Sequence, residues 1–102
     1  MKIVYSPQAR KDLLELREYI SNVLKNSVAA KNVTDKILKT VHLLQEQPNI
    51  GIRLSEKTGR DTDYLCLFVG KYGVIYRIED EKINIVRILD LRTDYMRIVF
   101  EE

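Results

Sequence analysis

The sequence predicts an α+β fold of order β-α-α-β-β-β, an antiparallel sheet with an N-terminal helical hairpin packed on one face. Three observations predict it. Apolar residues recur at three- and four-residue spacing through the first half, as on one face of a helix. Beyond residue 62 the pattern changes to short runs rich in β-branched and aromatic residues, the signature of strands. Between those runs stand Gly70-Lys71 and Glu79-Asp80-Glu81-Lys82, connections short enough to make a meander.

Ile3-Val4-Tyr5 is the first strand. Ser6-Pro7 then opens a helix, with Ser as N-cap and Pro at the first helical position. Ala9, Leu13, Leu16, Ile20 and Val23/Leu24 form its apolar stripe. Asn26-Ser27 breaks this helix and caps a second, whose stripe is Ala30, Val33, Ile37, Val41 and Leu44, stopped by Pro48 and Gly51. Residues 48–61 lack periodicity and read as a surface loop. Tyr64–Val69 and Tyr72–Ile78 flank Gly70-Lys71, which suits a type II′ turn, and Ile83–Leu89 is the third meander strand. In Tyr64–Val69 neither alternating side is polar, so something must cover the second sheet face, either the tail, residues 92–102, or another protein. That tail holds an apolar cluster (Tyr95, Met96, Ile98, Val99, Phe100) of no assigned conformation.

With 102 residues, 45% hydrophobic and 31% charged, the chain fits one globular domain, 1–102. Residues 1–59 carry ten Lys/Arg against six Asp/Glu and residues 60–102 seven against nine, too weak an excess for a dedicated duplex-binding module. It suits an RNA or an acidic protein partner. Cys66 is the sole cysteine, which excludes an internal disulfide and a cysteine-based metal site; its neighbours Leu65 and Leu67 make it a buried strand thiol. His42, the sole histidine, falls off the helical stripe, so it reads as a surface residue with no second histidine for metal or relay chemistry. No cofactor or metal is expected. With no signal-peptide h-region and no membrane-length apolar run, the expected location is the cytoplasm.

Four spaced segments resemble the RelE/ParE superfamily of bacterial toxins. They are Ser6-Pro7-x-Ala9-x-x-Asp12-Leu13-x-x-Leu16-x-x-Tyr19-Ile20, then Leu44-x-x-x-Pro48-x-x-Gly51, then Val69-Gly70-x-Tyr72 with Tyr76-Arg77-Ile78, and finally Ile85-x-Arg87-Ile88-Leu89-x-x-Arg92-x-Asp94-Tyr95. The resemblance implies a toxin of a type II toxin–antitoxin module, of the kind associated with plasmid stabilisation, inhibiting growth until a cognate antitoxin binds it. A toxin–antitoxin hetero-oligomer is then expected. One branch of the superfamily cleaves messenger RNA on the ribosome; the other poisons DNA gyrase.

RNA cleavage by a 2′-hydroxyl needs a base, cations for the developing phosphorane charge and an acid for the leaving oxygen. RelE-like nucleases resemble one another in placing Lys/Arg on the first meander strand, an Arg just after the next strand's leading Tyr, and an Arg and Tyr near the C-terminus. Here those places hold Leu65 and Leu67, then Gly73, then Arg92 with Tyr95 nearby. The Val69-Gly70-x-Tyr72 and Arg87-to-Asp94 segments resemble the ParE-like branch more closely, although Leu65, Leu91 and Thr93 depart from that pattern too. Gyrase is therefore the expected target; ribosome-dependent cleavage using Arg92 and Tyr95, or a non-toxic remnant that only binds its antitoxin, are the alternatives.

The side chains expected to meet a target or partner are Arg87, Arg92, Arg53, Lys57 and Arg60. Each has a plainer reading. Arg92 is either a bidentate anion ligand or half of a surface pair with Asp94 or Asp90. Arg87 is expected to be structural, paired with Glu79 or Asp63 or stacked on a Tyr. Arg53, Lys57 and Arg60 interleave with Glu56 and Asp61, as in a solvated loop, and Tyr95 suits packing as well as proton transfer. Tyr5, Tyr19, Tyr72 and Tyr76 are read as packing residues.

Overall fold

The structure is a computed structural model that describes residues 1–100. Strand β1 (Lys2–Tyr5) leads into helix α1 (Pro7–Glu18), one π-helical turn (Tyr19–Val23) and helix α2 (Ser27–His42). A 3-10 turn (Leu43–Gln45) ends the hairpin, and β2 (Ile52–Arg53) and α3 (Leu54–Thr58) follow. The meander is β3 (Leu65–Val69), β4 (Tyr72–Glu79) and β5 (Lys82–Asp90), and α4 (Tyr95–Phe100) closes the described chain. The helical hairpin, the meander and their order are as expected. The segment 48–61 departs from expectation, because a two-residue edge strand and a five-residue helix carry no readable periodicity. The sheet order is β1-β5-β4-β3-β2, antiparallel throughout the meander, and β1 adds to β5 in parallel, which makes the sheet mixed.

Ser6 caps α1 through the Ala9 N–H at 2.9 Å, and Asn26 caps α2 through the Ala29 N–H at 3.0 Å. Each cap satisfies a helix-end donor that has no intrahelical acceptor. Ala9, Ile37, Val41 and Leu44 are buried against Leu65, Leu67, Val69, Tyr72, Val74, Tyr76, Ile83, Ile85 and Ile88, the helix-side core. The α1 stripe fails at its last turn. Val23 and Leu24 are 61% and 54% exposed, because the wider π turn rotates them off the apolar face.

On the other sheet face Leu54, Cys66, Ile75 and Leu89 form a second buried cluster beneath Tyr95, Ile98, Val99 and Phe100. The tail thus supplies the expected cover, as a helix. Cys66 is buried as expected, 1% exposed.

Both hairpin turns are visible in backbone angles. Gly70 has φ +59°, the positive first position of a type II′ turn. Asp80 and Glu81 both have positive φ, +55° and +58°, between the paired Glu79 and Lys82. That is a type I′ turn built without glycine, which costs roughly 1–2 kcal/mol per residue in the left-handed region.

Two long-range ties hold the layers in place. The Tyr76 hydroxyl, on a fully buried ring, donates to the Pro48 carbonyl at 2.8 Å and accepts from the Gly51 N–H at 2.9 Å. A Cβ on Gly51 would lie 2.6 Å from that hydroxyl, so the ring and the glycine require each other. The second tie is the Asp12 carboxylate, with 6% of its side chain exposed. It accepts from Arg87 Nε at 2.8 Å and Nη2 at 3.1 Å, from the Ile88 N–H at 3.0 Å and from Gln8 Nε2 at 3.1 Å.

Arg87 and Ile88 follow a bulge. Ile75 pairs with Arg87 while Tyr76 pairs with Ile85, leaving Val86 as an extra residue. The bulge resets the alternation. Ile85 therefore lies in the helix-side core and Leu89 in the second cluster, whereas strict alternation puts them on one side. Arg87 is structural as expected, but its partner is Asp12. The carboxylates expected for it, Asp63 and Glu79, bind Arg77 at 2.9 and 3.2 Å instead.

Asp12→Ala is expected to lower stability by roughly 3–5 kcal/mol, because it removes a nearly buried carboxylate that accepts from two Arg87 nitrogens and from the Ile88 N–H. Urea unfolding followed by circular dichroism checks this; a midpoint within error of the parent would refute it. The pair Asp80→Asn with Glu81→Gly is expected to raise stability on the order of 1 kcal/mol by relieving the left-handed backbone. Thermal unfolding reads that gain, and an unchanged or lowered melting temperature would count against the type I′ assignment.

Candidate functional site

An open groove of about 490 Å³ runs between α1 and the end of β5. One helical face of α1 supplies Asp12, Glu15, Leu16 and Tyr19, at i, i+3, i+4 and i+7, and Leu24 follows from the π turn's end. The opposite wall is Lys71 and Tyr72 at the start of β4 and Arg87 to Asp90 of β5. Arg92 and Thr93 and, from α4, Ile98 complete it.

The floor is closed by the Asp12–Arg87 pair, so Arg87 contributes shape rather than a free charge. Arg92 is the mobile-looking cation made rigid. Its Nε lies 3.0 Å and its Nη2 2.6 Å from Asp90 oxygens, and its own N–H donates to Asp90 Oδ1 at 2.9 Å. Thr93 Oγ1 donates to the Asp90 carbonyl at 2.6 Å, which closes the turn after β5. Of the two carboxylates expected for Arg92, the structure thus selects Asp90. The Arg92 side-chain hydrogen bond holds the Asp90 carboxyl at a pKa of about 2, against a little resistance from burial. The pair therefore stays ionised through the neutral range, and its stabilisation is lost only as pH falls from the ordinary carboxylate range toward 2.

Tyr72 sits beside this pair, its hydroxyl pKa pushed up by burial first and by Asp90 next, and Lys71 Nζ lies 5.6 Å from its ring centre. Tyr19 faces them from α1. It is 52% exposed, which corrects the reading of Tyr19 as a packing residue. Its place, seven residues after Asp12 on the same helical face, was the available signal; what hid it was that tyrosine at a helical apolar spacing reads as core. Tyr72 and Tyr76 do pack, at 7% and 0% exposure.

Of the expected site residues, the structure brings Arg87 and Arg92 together in the groove and leaves the others outside its lining. Lys57 stands over the rings of Phe68 and Tyr95 at 5.0 and 5.9 Å, and Arg60 over Phe100 at 4.9 Å, all on the second face of the sheet. Arg53 lines a separate, smaller cavity of about 190 Å³ beside Thr62 and Tyr64. Tyr95 packs into the second cluster and is absent from the groove lining, so Arg92 and Tyr95 do not share a site there.

The positions that decide RNA cleavage are filled by apolar packing. Leu65 and Leu67 are buried in the helix-side core. A Cβ on Gly73 would meet Leu91 Cδ2 at 2.6 Å and Cys66 Sγ at 3.1 Å, so a larger residue at this place needs the Leu91 side chain to shift. His42 is exposed on α2 as expected. Among the described residues no group of His, Cys, Asp or Glu could hold a metal ion, and no helix is long and apolar enough to cross a membrane.

The ParE toxin model, described as "ParE toxin of type II toxin-antitoxin system, parDE", matches residues 3–95. A solved chain described as "Chromosomal ParDE TA system from P. aeruginosa" superposes with a TM-score of 0.74 at 20% sequence identity, over 89% of this chain and 96% of that one. The search of curated proteins finds no match. The solved structure establishes the shared fold, and the family model spans the groove walls from β1 to the first residue of α4. The chain belongs to the ParE family, the toxins of type II toxin–antitoxin systems.

Proposed function

We propose that this toxin acts by protein contact, with DNA gyrase as its target, and that its antitoxin neutralises it by occupying the α1–β5 groove and the adjoining hairpin surface. The observation that carries the first part is the sealed position at Gly73. Where a ribosome-dependent nuclease needs an arginine beside the strand, Leu91 fills the space, and Leu65 and Leu67 are buried, so no cation reaches a scissile phosphate from these strands.

The second part rests on the surface around the groove. Tyr19, Val23, Leu24 and Val28 are all more than half exposed within ten residues of chain, an apolar patch at the hairpin tip that opens onto Arg92 and Lys71. A half-exposed tyrosine next to an exposed arginine is the composition of a binding hot spot. The net basic character of residues 1–59 favours an acidic partner, and carboxylates on an amphipathic helix or extended segment would meet Lys71 and Arg92 in the groove. Asp90 already shows how a carboxylate engages Arg92.

Expression of the chain without its antitoxin is expected to stop growth, induce the SOS response and trap gyrase–DNA adducts. Rapid loss of translation with cuts in A-site codons, abolished by Arg92→Ala, would overturn the gyrase reading in favour of RNA cleavage. Absence of toxicity would mean that the chain only binds its antitoxin.

The antitoxin is sought as the product of a short reading frame beside the gene. Tyr19→Ala and Arg92→Ala are each expected to weaken its binding by roughly 10- to 100-fold in calorimetric titration. Undiminished binding of both variants would place the antitoxin elsewhere on the molecule.

A further inference from the structure

The helix that roofs the second sheet face also walls the groove on the first site. Ile98 of α4 lines the groove with Arg92 and Tyr19, while Tyr95, Val99 and Phe100 of the same helix lie over Leu54, Cys66, Ile75 and Leu89. Everything beneath α4 is closed to solvent: Leu54, Ile75 and Cys66 are exposed by no more than 1%. Yet α4 itself has no buried residue and is six residues long. A helix below about twelve residues is not stable on its own in water, so α4 exists only through its contacts.

Those contacts include the apolar packing of its partly buried Tyr95, Ile98, Val99 and Phe100 on that cluster, and contacts between rings and cations. A ladder of rings and cations pins the helix at both ends. Lys57 lies between Phe68 and Tyr95, Arg60 sits over Phe100, and Phe100 meets Tyr64 with ring centres 5.9 Å apart. Exposed interactions of this type contribute roughly 0.5–1.5 kcal/mol each, well below the stability of a whole domain. The turn that precedes α4, by contrast, is tied to β5 by Asp90, Arg92 and Thr93, so the helix can leave while Arg92 stays anchored.

We propose that α4 is a detachable flap that opens without global unfolding, and that it links the sealed Cys66 thiol to the groove: the groove wall is complete only while the thiol is covered. Sub-global openings of this sort draw on the least-packed elements of a fold. Cys66 is 1% exposed, so a reagent does not reach it in the closed state. Its Sγ lies 3.1 Å from where a Gly73 Cβ would stand, and Leu91 fills the space beside it. Burial also pushes the thiol up to about 11, so it is protonated and unreactive until α4 lifts. A disulfide reagent that reaches it in the open state is attacked by the Cys66 thiolate. The new mixed disulfide forms, the reagent's other sulfur departs as thiolate, and the attached group then props α4 off the sheet. The opening stands independently of the groove's assignment; its consequence for partner binding rests on that assignment.

The test uses the intact protein and Ellman's reagent, whose released thiolate is followed by absorbance, across a range of sub-denaturing guanidinium. Labelling is expected to outrun global unfolding and to depend only weakly on denaturant, since a small opening exposes little surface. Phe100→Ala is expected to speed it roughly tenfold and to lower the global unfolding midpoint by the same loss of closed-state stability, while the weak denaturant slope of labelling is kept. Labelling that follows global unfolding, with the same denaturant slope in both proteins, would overturn the flap.

The link to the groove is read separately by amide NMR of the labelled protein. Resonances of Arg92, Tyr72 and Ile98 are expected to move while those of α2 stay. If α4 and groove resonances keep their positions with the label attached, the link is wrong. If they move and antitoxin affinity is nevertheless unaltered by the label, the flap holds and the groove reading above fails.

Discussion

The Asp12 carboxylate is the junction on which the molecule is assembled. It is nearly buried and sits in the middle of α1, and it accepts hydrogen bonds from Gln8, from two nitrogens of Arg87 and from the Ile88 N–H. An ion pair taken out of water is not automatically stabilising, because desolvation of both charges opposes their attraction. This carboxylate does more than pair. It satisfies a backbone donor just past the Val86 bulge, a group that no apolar residue could satisfy. Ser6 works from the start of the same helix, donating its hydroxyl to the Val86 carbonyl at 2.9 Å and its N–H to the Ile85 carbonyl at 2.9 Å. Helix and bulge therefore hold each other, and a local irregularity in β5 becomes a defined feature.

From that junction the groove follows geometrically. With α1 locked to β5, Tyr19 projects toward the strand end and meets Tyr72, Lys71 and Arg92. The bulge also sends Leu89 and Leu91 to the second face and leaves Asp90 at the groove rim. One face of the sheet is then committed to the hairpin and the other to α4. The cost of an apolar second face is that something must cover it, and the molecule uses a six-residue helix with no buried residue to do so. Leu91, sent to that face, occupies the room in which an arginine at position 73 would have to stand. The same register that builds the groove thus sets an apolar side chain beside position 73.

The helices, their caps and the meander were legible because they are written in local patterns. Ser6-Pro7 and Asn26-Ser27 act within one turn, and Gly70 marks its turn by a backbone angle other residues avoid. The four spaced segments of the superfamily pattern likewise pointed to the fold and family, and between them they supply two structural ties. Pro48-x-x-Gly51 is the cradle of the Tyr76 hydroxyl, and Asp12 in the first segment answers Arg87 in the last. The site was less legible. Arg92 and Arg87 share the groove, but Lys57, Arg60 and Tyr95 belong to the opposite face, Arg53 lines a separate cavity, and Tyr19 reads as core from its spacing.

What the sequence determined by itself was the set of elements, the buried character of Cys66 and the lack of cations at the positions where RNA cleavage needs them. Periodicity, capping and residue type carry that information over a few residues, where sterics and hydrogen bonding are local. Tertiary structure decided which carboxylate each arginine meets. Arg87 chose Asp12, 75 positions away, and Arg77 took the acids expected for Arg87. It also decided, through one extra residue at Val86, which face each later side chain occupies. A bulge leaves no mark on the pattern of residue types, because its place is set by what packs across the sheet, and that is known only once the chain has folded.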